Sequence, residues 1–353
     1  MSPYDVTVFG GVQSQVLGLS RALARADEVV VMSPGKSSER DGVPVVGVGP
    51  VVGVRANGSV APISLAPAAW RRTRAALREF QPDVIHVHEP FVPLVGLAAS
   101  KTGLAPVVAT FHRGGAGQFY PHLAPILRSR FKSFDLCTAV SEEASSTLDV
   151  VFGRTTQRPA ILPNAIDLDR FATAEVIPHE GRRVVFVGRH EQRKGLRVLL
   201  EAFTGGIADA HLVVIGEGPE SRRLRSEYSQ REDIEFVGAV DDPSLASLVA
   251  SADLLVAPSL SGESFGVVLL EAMAAHTAVI ASDIPGYRLA AGAAARFFPP
   301  GDVLTLRDAI TELLDAPYDR ASLVAAGIAR AEAHSFSSLA VAYRELYQTL
   351  VEI

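Results

Sequence analysis

The sequence is poor in the features that mark disulfide-linked, zinc-binding and membrane-spanning proteins. Cys137 is the single cysteine among 353 residues, so an intramolecular disulfide and a cysteine-based zinc site are both excluded. The longest apolar runs, such as 212–215 and 267–270, fall far short of the roughly 20 residues that cross a bilayer. The N-terminus has no basic stretch followed by an apolar core, so a secretory signal is not predicted. These absences favour a protein of the reducing cytoplasm.

The chain also lacks an excess of positive charge. Its formal net charge is -6 at pH 7, whereas general nucleic-acid binding needs a broad positive field that displaces counterions from phosphates. No nucleic-acid partner is therefore predicted. Hydrophobic residues make up 48% of the chain and charged residues 20%, which is typical of folded domains, and the length suits two of them.

Short β-rich runs alternate with amphipathic helical patterns along the chain, and this alternation is typical of βαβ units with parallel sheets. The fold class is therefore α/β, with two doubly wound, Rossmann-like domains. The predicted strands are 28–33, 43–48, 83–88, 106–111, 136–140, 160–162, 183–187, 211–215, 234–237, 254–257, 278–281 and 295–298.

The domain boundary is predicted where regular periodicity lapses, over 167–181. We expect an N-terminal domain over 1–172, a C-terminal domain over 173–336, and a final helix over 337–353 that packs back on the first domain. Open α/β sheets bind ligands beyond the carboxyl ends of their strands. A ligand site is therefore expected in a cleft between the domains.

The pentapeptide 262–266, Gly-Glu-Ser-Phe-Gly, precedes an apolar helical pattern that contains Glu271. Glu263 lies in the loop and Glu271 inside the helix, so the two carboxylates can contact a nucleotide sugar at two different places. The helix N-terminal amides can approach its phosphates. Phe265 and Gly266 belong to the same candidate donor site. Two surface glutamates are the simpler interpretation.

A second candidate motif follows the predicted strand 183–187, where Gly188-Arg189 is followed by Lys194-Gly195. A departing nucleoside diphosphate gains negative charge. Fixed Arg and Lys donors stabilise that charge more in the transition state than in the ground state. Arg189 and Lys194 are therefore candidate catalytic residues, with solvated surface charge as the alternative.

Together these two motifs resemble the donor site of family 4 glycosyltransferases, which are retaining enzymes of GT-B architecture. The resemblance implies that Arg189 and Lys194 hold the diphosphate. It also implies that Glu263 contacts the transferred sugar and that Glu271 binds the ribose hydroxyls. No tightly bound cofactor is implied besides the nucleotide-sugar donor.

The N-terminal half resembles actinobacterial phosphatidylinositol mannosyltransferases at 3–4, 10–14, 57–60, 86–90 and 109–112. This resemblance implies GDP-mannose as the donor and the inositol of phosphatidylinositol, a phospholipid, as the acceptor. The backbone of Gly10 and Gly11 would approach the diphosphate, and His112 would lie against the donor sugar. The residues that match the acceptor pocket are Tyr4, Gln13, Asn57, Ser59 and Arg113.

The chain departs from this family at two places. A strand precedes the segment matching residues 2–4 in the family, so the first strand is missing or displaced, or residues 5–9 supply a substitute strand. The loop after His112 reads Arg-Gly-Gly-Ala-Gly, where the mannosyltransferases have hydroxyl residues and a lysine. Arg113 supplies a charge there, but the identity of the acceptor stays open.

A basic helix is predicted over 67–80 in this acidic chain. Such a helix can lie on an anionic bilayer, with its cations at the headgroups and Trp at the interface. A solvated helix face is the alternative. The family resemblance favours peripheral attachment at the inner face of the cell membrane. The candidate membrane residues are Trp70, Arg71, Arg72, Arg74 and Arg78.

The segment 86–89, His-Val-His-Glu, admits a metal interpretation because alternate strand residues share one face. No third ligand stands at a useful spacing from His86 and His88. We therefore predict no metal site, and polar groups near the acceptor pocket are the favoured interpretation. Asp241 and Asp242 are predicted to cap a helix.

Three other functions remain open at this point. The first is a family 4 enzyme with a soluble acceptor, such as an inositol phosphate or a sugar, which a requirement for lipid would exclude. The second is a nucleotide-sugar 2-epimerase, which needs no acceptor. The third is a non-catalytic nucleotide-sugar binder. Glu263 and Glu271 favour sugar transfer over the last two.

Overall fold

The computed structural model of the chain describes residues 1–8, 10–56, 59–92, 94–100, 102–112, 131–152, 158–263 and 265–351. The chain divides into two compact units. Unit 1 consists of Met1–Ala165 and Phe336–Ile353, and unit 2 consists of Ile166–Ser335. No helix in these described ranges has both the length and the apolar content needed to cross a membrane.

The described residues form helices and strands that alternate along most of the chain. The helices are α1 (Gly11–Leu23), α2 (Pro67–Phe80), α3 (Val95–Ala99), α4 (Glu142–Phe152), α5 (Leu168–Ala172), α6 (Leu196–Thr204), α7 (Ser221–Glu227), α8 (Asp242–Ala250), α9 (Val267–Ala274), α10 (Pro285–Ala291), α11 (Val303–Asp315), α12 (Pro317–Ala333) and α13 (Phe336–Val351). The strands are β1 (Val31–Ser33), β2 (Ser38–Arg40), β3 (Val43–Gly47), β4 (Val52–Ala56), β5 (Ser59–Ile63), β6 (Ile85–His88), β7 (Val107–Phe111), β8 (Leu136–Ala139), β9 (Ala160–Ile161), β10 (Arg182–Val187), β11 (Ala210–Ile215), β12 (Ile234–Gly238), β13 (Leu254–Ala257), β14 (Ala278–Ser282) and β15 (Arg296–Phe298).

Unit 1 contains a parallel sheet in the order β6-β7-β8-β9, a smaller sheet in the order β1-β3-β2, and an antiparallel β4-β5 pair. The first two residues of the chain link the two larger sheets. The Ser2 N–H donates to the Met32 carbonyl of β1 at 2.9 Å. On the other side, the His88 N–H of β6 donates to the Met1 carbonyl at 3.1 Å. Met1 and Ser2 therefore lie where a central strand would join the sheets.

The substitute strand predicted over residues 5–9 is wrong for the part that the structure describes. Asp5 instead begins a turn, in which its carboxylate accepts from the Thr7 N–H at 2.9 Å and its carbonyl accepts from the Val8 N–H at 3.2 Å. Asp side chains bind nearby backbone N–H groups and so compete with sheet pairing. Phe9 lies outside the described residues.

The C-terminal helix α13 belongs to unit 1 and packs against α1. Leu19 and Leu23 of α1 form a buried cluster with Ala340 and Tyr343 of α13 and with Val108 of β7. The spacing of Ala340 and Tyr343 places both on one face of the helix. The last residues of the chain thus complete the core on one side of the β6–β9 sheet.

Unit 2 is a doubly wound domain. Its six strands are all parallel, in the order β12-β11-β10-β13-β14-β15. Successive residues of β10 point to opposite faces, with Val184 and Phe186 in one buried cluster and Val185 in the other. Both faces of the sheet are therefore covered, as expected for parallel strands rich in apolar residues.

Unit 2 begins at Ile166, whereas the sequence predicted a domain start at residue 173. Helix α5 accounts for the difference, because it packs against α8 and α9 of unit 2. Phe171 is buried in a core cluster of that unit, and Arg170 pairs with Asp242 of α8 at 2.9 Å. This short helix was not predicted, because regular periodicity lapses in this part of the sequence.

Candidate functional site

The strand order of unit 2 defines the place where a ligand would bind. From β10 the chain winds outward through β11 and β12, and it then returns to β13 on the other side of β10. Ligands of open α/β sheets bind at such a switch point, beyond the carboxyl ends of the two central strands. Residues 188–195 follow β10 and residues 258–266 follow β13. Both predicted donor motifs therefore lie at this switch point.

The two loops contact each other through their backbones. Gly195 has a φ of 66°, in the left-handed region that favours glycine. A Cβ at this position would overlap the Pro258 carbonyl. The Leu260 N–H donates to the Arg193 carbonyl at 2.7 Å. This contact fixes the separation of the side chains that the two loops carry.

Glu263 is the centre of a charge cluster at this contact. Its Oε1 lies 2.8 Å from Lys194 Nζ and 2.9 Å from Arg193 Nη1. The Ser259 hydroxyl also donates to the same oxygen at 3.3 Å. The Glu263 side chain is only 12% exposed, so little water screens these interactions. Two of the predicted catalytic residues, Lys194 and Glu263, are thus in direct contact.

Arg189 belongs to the same cluster through Glu191. Arg189 Nε lies 2.8 Å from one carboxylate oxygen of Glu191, and Arg193 Nε lies 3.0 Å from the other. The five charges are Arg189, Arg193 and Lys194 against Glu191 and Glu263, which leaves a net charge of +1. The Arg189 side chain is 56% exposed. A partly exposed cluster with residual positive charge is suited to an anionic ligand.

Helix α10 packs against the loop that carries Glu263. The buried Tyr287 hydroxyl lies 2.7 Å from the Ser259 hydroxyl, which in turn contacts Glu263. Burial, and secondly the negative charge of Glu263, raises the pKa of Tyr287 well above its usual value, so its hydroxyl stays protonated. Gly286 lies so close to the loop that a Cβ there would overlap the Glu263 carbonyl.

Glu271 lies in the second turn of α9 and makes none of these contacts within the described residues. The nearest charges that influence it are Arg170 of α5 and Asp242 of α8. Burial raises the pKa of Glu271 to about 7, and Asp242 adds to the rise while Arg170 opposes it. The structure therefore places the two glutamates in different surroundings, although the sequence predicts them as a pair.

The other predicted donor residues of unit 2 act through their backbones or through packing. The Phe265 ring is 1% exposed and packs in the core beside His334, so its side chain is part of the core. Gly266 begins α9 with a φ of 99°, and a Cβ there would contact the Tyr287 ring. The Gly188 N–H donates to the Ile215 carbonyl at 3.1 Å and so continues the sheet pairing.

In unit 1, the predicted glycines lie where α1 begins. Gly10 is the N-cap of α1 with an extended backbone, and a Cβ at Gly10 would overlap the side chain of Gln13. A Cβ at Gly11 would meet nothing within 4 Å. Gln13 is 7% exposed, and Tyr4 is half-buried and pairs with Ile63 of β5. The backbone of Gly11 is thus open to a ligand, whereas that of Gly10 lies against the Gln13 side chain.

His112 follows β7 at the carboxyl edge of the β6–β9 sheet. Its Nε2 lies 2.8 Å from His88 Nδ1, and its backbone N–H donates to Glu89 Oε1 at 2.7 Å. Burial lowers the pKa of His112 to about 4, although the Asn164 side chain favours the protonated ring. The ring is therefore neutral at pH 7.

The basic helix α2 spans Pro67–Phe80, which are the predicted bounds. Its apolar side is used inside unit 1, where Ala69, Thr73 and Leu77 are buried. Trp70 is only partly exposed, and Arg74 is partly buried. The cations that face solvent are Arg71, Arg72 and Arg78.

Some predicted acceptor residues fall where the structure gives no side-chain description. Asn57 and Arg113 lie outside the described residues. Ser59 begins β5, and only its backbone is described. Among the described acceptor residues are Tyr4 and Gln13.

The structure adds four polar residues to the switch point that the sequence did not single out: Glu191, Arg193, Ser259 and Tyr287. A signal existed for Arg193, because it stands next to Lys194 and supplies a further cation between Arg189 and Gly195. No sequence signal connects Tyr287 with Glu263, because only the fold brings α10 against the β13 loop. Asp241 caps α8 by accepting from the Ser244 N–H at 2.9 Å, as predicted.

Comparison with known proteins agrees with this architecture. Residues 9–170 match the family described as Glycosyltransferase Family 4, and residues 181–316 match Glycosyl transferases group 1. Sucrose-phosphate synthase from Thermosynechococcus elongatus superimposes with a TM-score of 0.77 at 22% identity, covering 97% of this chain and 94% of that one. HepE from Anabaena, solved with UDP, gives 0.78 at 18% identity, covering 97% of each chain. These likenesses show the GT-B fold, with two Rossmann-like domains.

Two relatives are more similar in sequence. The phosphatidyl-myo-inositol mannosyltransferase of Mycolicibacterium smegmatis is 35% identical over 99% of this chain and 92% of its own length. The protein of the same name from Propionibacterium freudenreichii is 33% identical over 81% of this chain and 76% of its own. The chain therefore belongs to glycosyltransferase family 4 and is a glycosyltransferase of the GT-B fold, related to the phosphatidyl-myo-inositol mannosyltransferases.

Proposed function

We propose that the protein transfers mannose from GDP-mannose to the inositol of phosphatidylinositol, with retention of anomeric configuration. The observation that carries this proposal is the charge cluster of Lys194, Arg193 and Glu263 at the switch point of unit 2, where the diphosphate of a nucleotide sugar would bind. The names of the two relatives supply the sugar and the acceptor. Within the proposal, Arg189 and Lys194 bind the diphosphate and Glu271 binds the ribose hydroxyls.

Each charged residue of this cluster has a role in the transfer reaction. The bond between the sugar C1 and the diphosphate oxygen breaks, and its electron pair stays on the diphosphate. The inositol hydroxyl oxygen forms the new bond to C1 on the same face, and its proton passes to a phosphate oxygen of the leaving group. Lys194 and Arg189 stabilise the charge that develops on the diphosphate. Glu263 then loses Lys194 as a partner but keeps Arg193, and its carboxylate contacts the sugar.

In unit 1, the proposed roles follow the same resemblance. The neutral His112 ring contacts the transferred sugar, and the backbone of Gly10 and Gly11 approaches the diphosphate, with open space at Gly11. Tyr4 and Gln13 belong to the acceptor pocket.

A screen of donors and acceptors tests the proposal. Purified protein is mixed with GDP- or UDP-sugars, with and without phosphatidylinositol vesicles, and release of nucleoside diphosphate is measured. We expect release from GDP-mannose that depends on phosphatidylinositol. Equal release with inositol phosphate alone would point to a soluble acceptor. Interconversion of the sugar nucleotide without an acceptor would point to an epimerase, and binding without turnover would contradict transfer altogether.

We also propose that α2 attaches the protein to an anionic membrane by electrostatic adsorption. Its buried face packs inside unit 1, so the exposed Arg71, Arg72 and Arg78 supply the attraction and the helix does not insert its apolar side. Each arginine near an anionic surface contributes about 1 kcal/mol. Cosedimentation with phosphatidylglycerol vesicles should weaken about a hundredfold when all three are replaced by alanine.

Salt provides the control for this adsorption. Surface attraction is screened within about 3 Å at 1 M salt, so wild type and the triple variant should bind equally weakly there. Replacement of three arginines away from α2, Arg197, Arg222 and Arg223, should leave vesicle binding unchanged. Equal binding of wild type and the α2 variant at low salt would refute adsorption through this helix.

A further inference from the structure

The segment 86–89 contributes three polar side chains beside His112. β6 and β7 are parallel neighbours, with His86 opposite Val108 and His88 opposite Thr110. His88 and His112 therefore occupy adjacent positions on one face of the sheet, at the edge where both strands end. A row of imidazoles is unusual in a parallel sheet, whose faces are ordinarily apolar.

The His88 ring lies between two other imidazoles. Its centroid is 4.3 Å from that of His86, which stacks on it, and 5.1 Å from that of His112, which meets it at the ring edge. His86 is itself held at both nitrogens, by the Tyr347 hydroxyl and the Thr110 hydroxyl, each at 2.6 Å. His88 is 4% exposed. The orientation of His88 is therefore fixed by His86 on one face of its ring and by His112 at Nδ1.

The contact between His88 Nδ1 and His112 Nε2 requires one proton between them. Burial, followed by the charges of its neighbours, lowers the pKa of His88 well below its usual value, and His112 is neutral as well. One ring must therefore donate and the other accept. The two rings therefore share a single N–H···N hydrogen bond, and the tautomer of each ring fixes that of the other.

Glu89 holds the backbone of His112. Its carboxylate accepts from the His112 N–H at 2.7 Å, and its own N–H donates to the Thr110 carbonyl at 2.8 Å. Glu89 has a φ of 45°, in the left-handed region that is strained for a non-glycine residue. Such strain persists where the surrounding contacts over-determine the conformation, and it clusters at functional sites.

We propose that His88 and Glu89 are positioning residues for His112, the first through the ring and the second through the backbone. The proposal rests on the proposed contact of His112 with the transferred sugar. His88 fixes the tautomer and orientation of the His112 ring, and Glu89 fixes the point at which β7 ends. The His-Val-His-Glu segment thus serves His112.

Turnover of GDP-mannose with phosphatidylinositol vesicles tests the role of His88. The His88→Leu variant removes the hydrogen-bond partner of the His112 ring and should lower kcat at least about tenfold, with a change in donor KM below about threefold. The His88→Asn variant places an amide group, which can donate or accept, near the position of Nδ1 and should recover kcat to within about threefold of wild type. A loss of the same size in both variants would overturn the hydrogen-bonding role of His88.

Glu89 has a matched pair of variants as well. Glu89→Gln keeps a side-chain oxygen that can accept from the His112 N–H, whereas Glu89→Leu does not. We expect Glu89→Gln to retain most of the wild-type kcat and Glu89→Leu to lose at least about tenfold. Thr138→Val is the structural control, because it removes a buried hydroxyl of the same sheet without touching His112. Its kcat should stay at the wild-type value.

Nitrogen NMR of histidine-labelled protein gives a readout that does not depend on turnover. In wild type, one His112 ring nitrogen should have the shift of an N–H and the other that of an unprotonated nitrogen, as expected of a single neutral tautomer. His88→Leu should move both shifts toward a mixture of tautomers, whereas Thr138→Val should leave them in place. Unchanged His112 shifts in His88→Leu would overturn the positioning role.

His112→Ala separates this inference from the proposed function. If His112→Ala is impaired while His88→Leu has wild-type kcat and wild-type shifts, then His112 acts without positioning and the inference is wrong. If His112→Ala turns over like wild type, then the proposed sugar contact is wrong. The positioning by His88 is then judged by the NMR shifts alone.

Discussion

The polar groups of the two units differ in exposure and in charge. At the switch point of unit 2, Arg189 and Arg193 are 56% and 43% exposed and keep their full charges in ion pairs. Beside His112 in unit 1, His88 is 4% exposed and neutral. Exposed ion pairs are weak and exchange readily for an anionic ligand. Buried polar groups avoid the large cost of buried charge and can act as fixed supports. We therefore expect the first cluster to govern catalysis and the second to govern stability and orientation.

The largest expected effect concerns the charged cluster. Lys194→Ala and Glu263→Ala should each lower kcat about a hundredfold, because each removes a charge aimed at the reacting centre. Thermal unfolding of each variant, measured beside kcat, shows whether the fold is retained. Arg197→Ala is the matched control, because it breaks a surface ion pair with Glu227 at 2.6 Å. Wild-type turnover in either active-site variant would contradict the assignment.

The buried network of unit 1 should respond in the opposite way. Thr110 contacts three buried groups, the Thr138 and Tyr343 hydroxyls and His86 Nε2, at 2.6, 2.9 and 2.6 Å. Thr110→Val removes the partner of His86 Nε2, while the Thr138 and Tyr343 hydroxyls keep each other at 3.0 Å, and it should lower the free energy of unfolding by about 2 kcal/mol, measured in urea. Exposed Thr349→Val on α13 should change it by less than about 0.5 kcal/mol. Equal stability of the two variants would show that the buried hydroxyl network does not stabilise unit 1.

A smaller effect is expected at Glu271, which combines burial with charge. Its pKa is raised to about 7 in the folded protein, above the unfolded value near 4.5. The folded state therefore binds the proton more tightly, and stability falls as the pH rises between these two values. Glu271→Gln removes this loss and should therefore be more stable than wild type at pH 8. The expected gain in the free energy of unfolding is only about 1 kcal/mol, because solvent around the partly exposed Glu271 reduces the penalty on its charge.

The same comparison at low pH checks the direction of the effect of Glu271 on stability. At pH 4, Glu271 is protonated in both states, so wild type and Glu271→Gln should unfold at the same urea concentration. The exposed Glu235→Gln variant provides the control, and its difference from wild type should not change with pH. A Glu271→Gln variant that is less stable than wild type at pH 8 would show that the carboxylate is stabilised by partners in the fold.

Much of the framework follows from local sequence pattern. The α2 bounds were predictable because Pro67 fits the first turn of a helix and Gln81 ends it in the left-handed conformation. The strands of unit 2 carry nearly continuous apolar residues, which a buried parallel sheet requires. By contrast, β2 is exposed at all three residues and has no apolar signal at all. Strands β4 and β5 pair with each other, and the Asn-Gly dipeptide between them is a common hairpin signal, although the sequence prediction assigned this segment to the acceptor pocket.

The candidate site was only partly accessible to sequence. Arg189, Lys194 and Glu263 stand in motifs, so their residue types and spacing predict a phosphate site. The contact of Glu263 with Arg193 depends on β10 lying beside β13, and no local pattern encodes the order of strands in a sheet. Likewise, His86 and His88 show a shared face in the sequence, but their contacts with Tyr347 and His112 come from α13 and β7.

The two-segment construction of unit 1 has a consequence for synthesis on the ribosome. Thr110 bonds to Tyr343, which is translated 233 residues later. Unit 2 is a single continuous segment and can finish folding first, whereas the β6–β9 sheet must wait for α13. At roughly 5 to 20 residues per second, that delay lasts on the order of ten to fifty seconds. During this interval the unfilled sheet face of the nascent chain, with Val108 and Thr110 uncovered, is the part that a chaperone would have to shield.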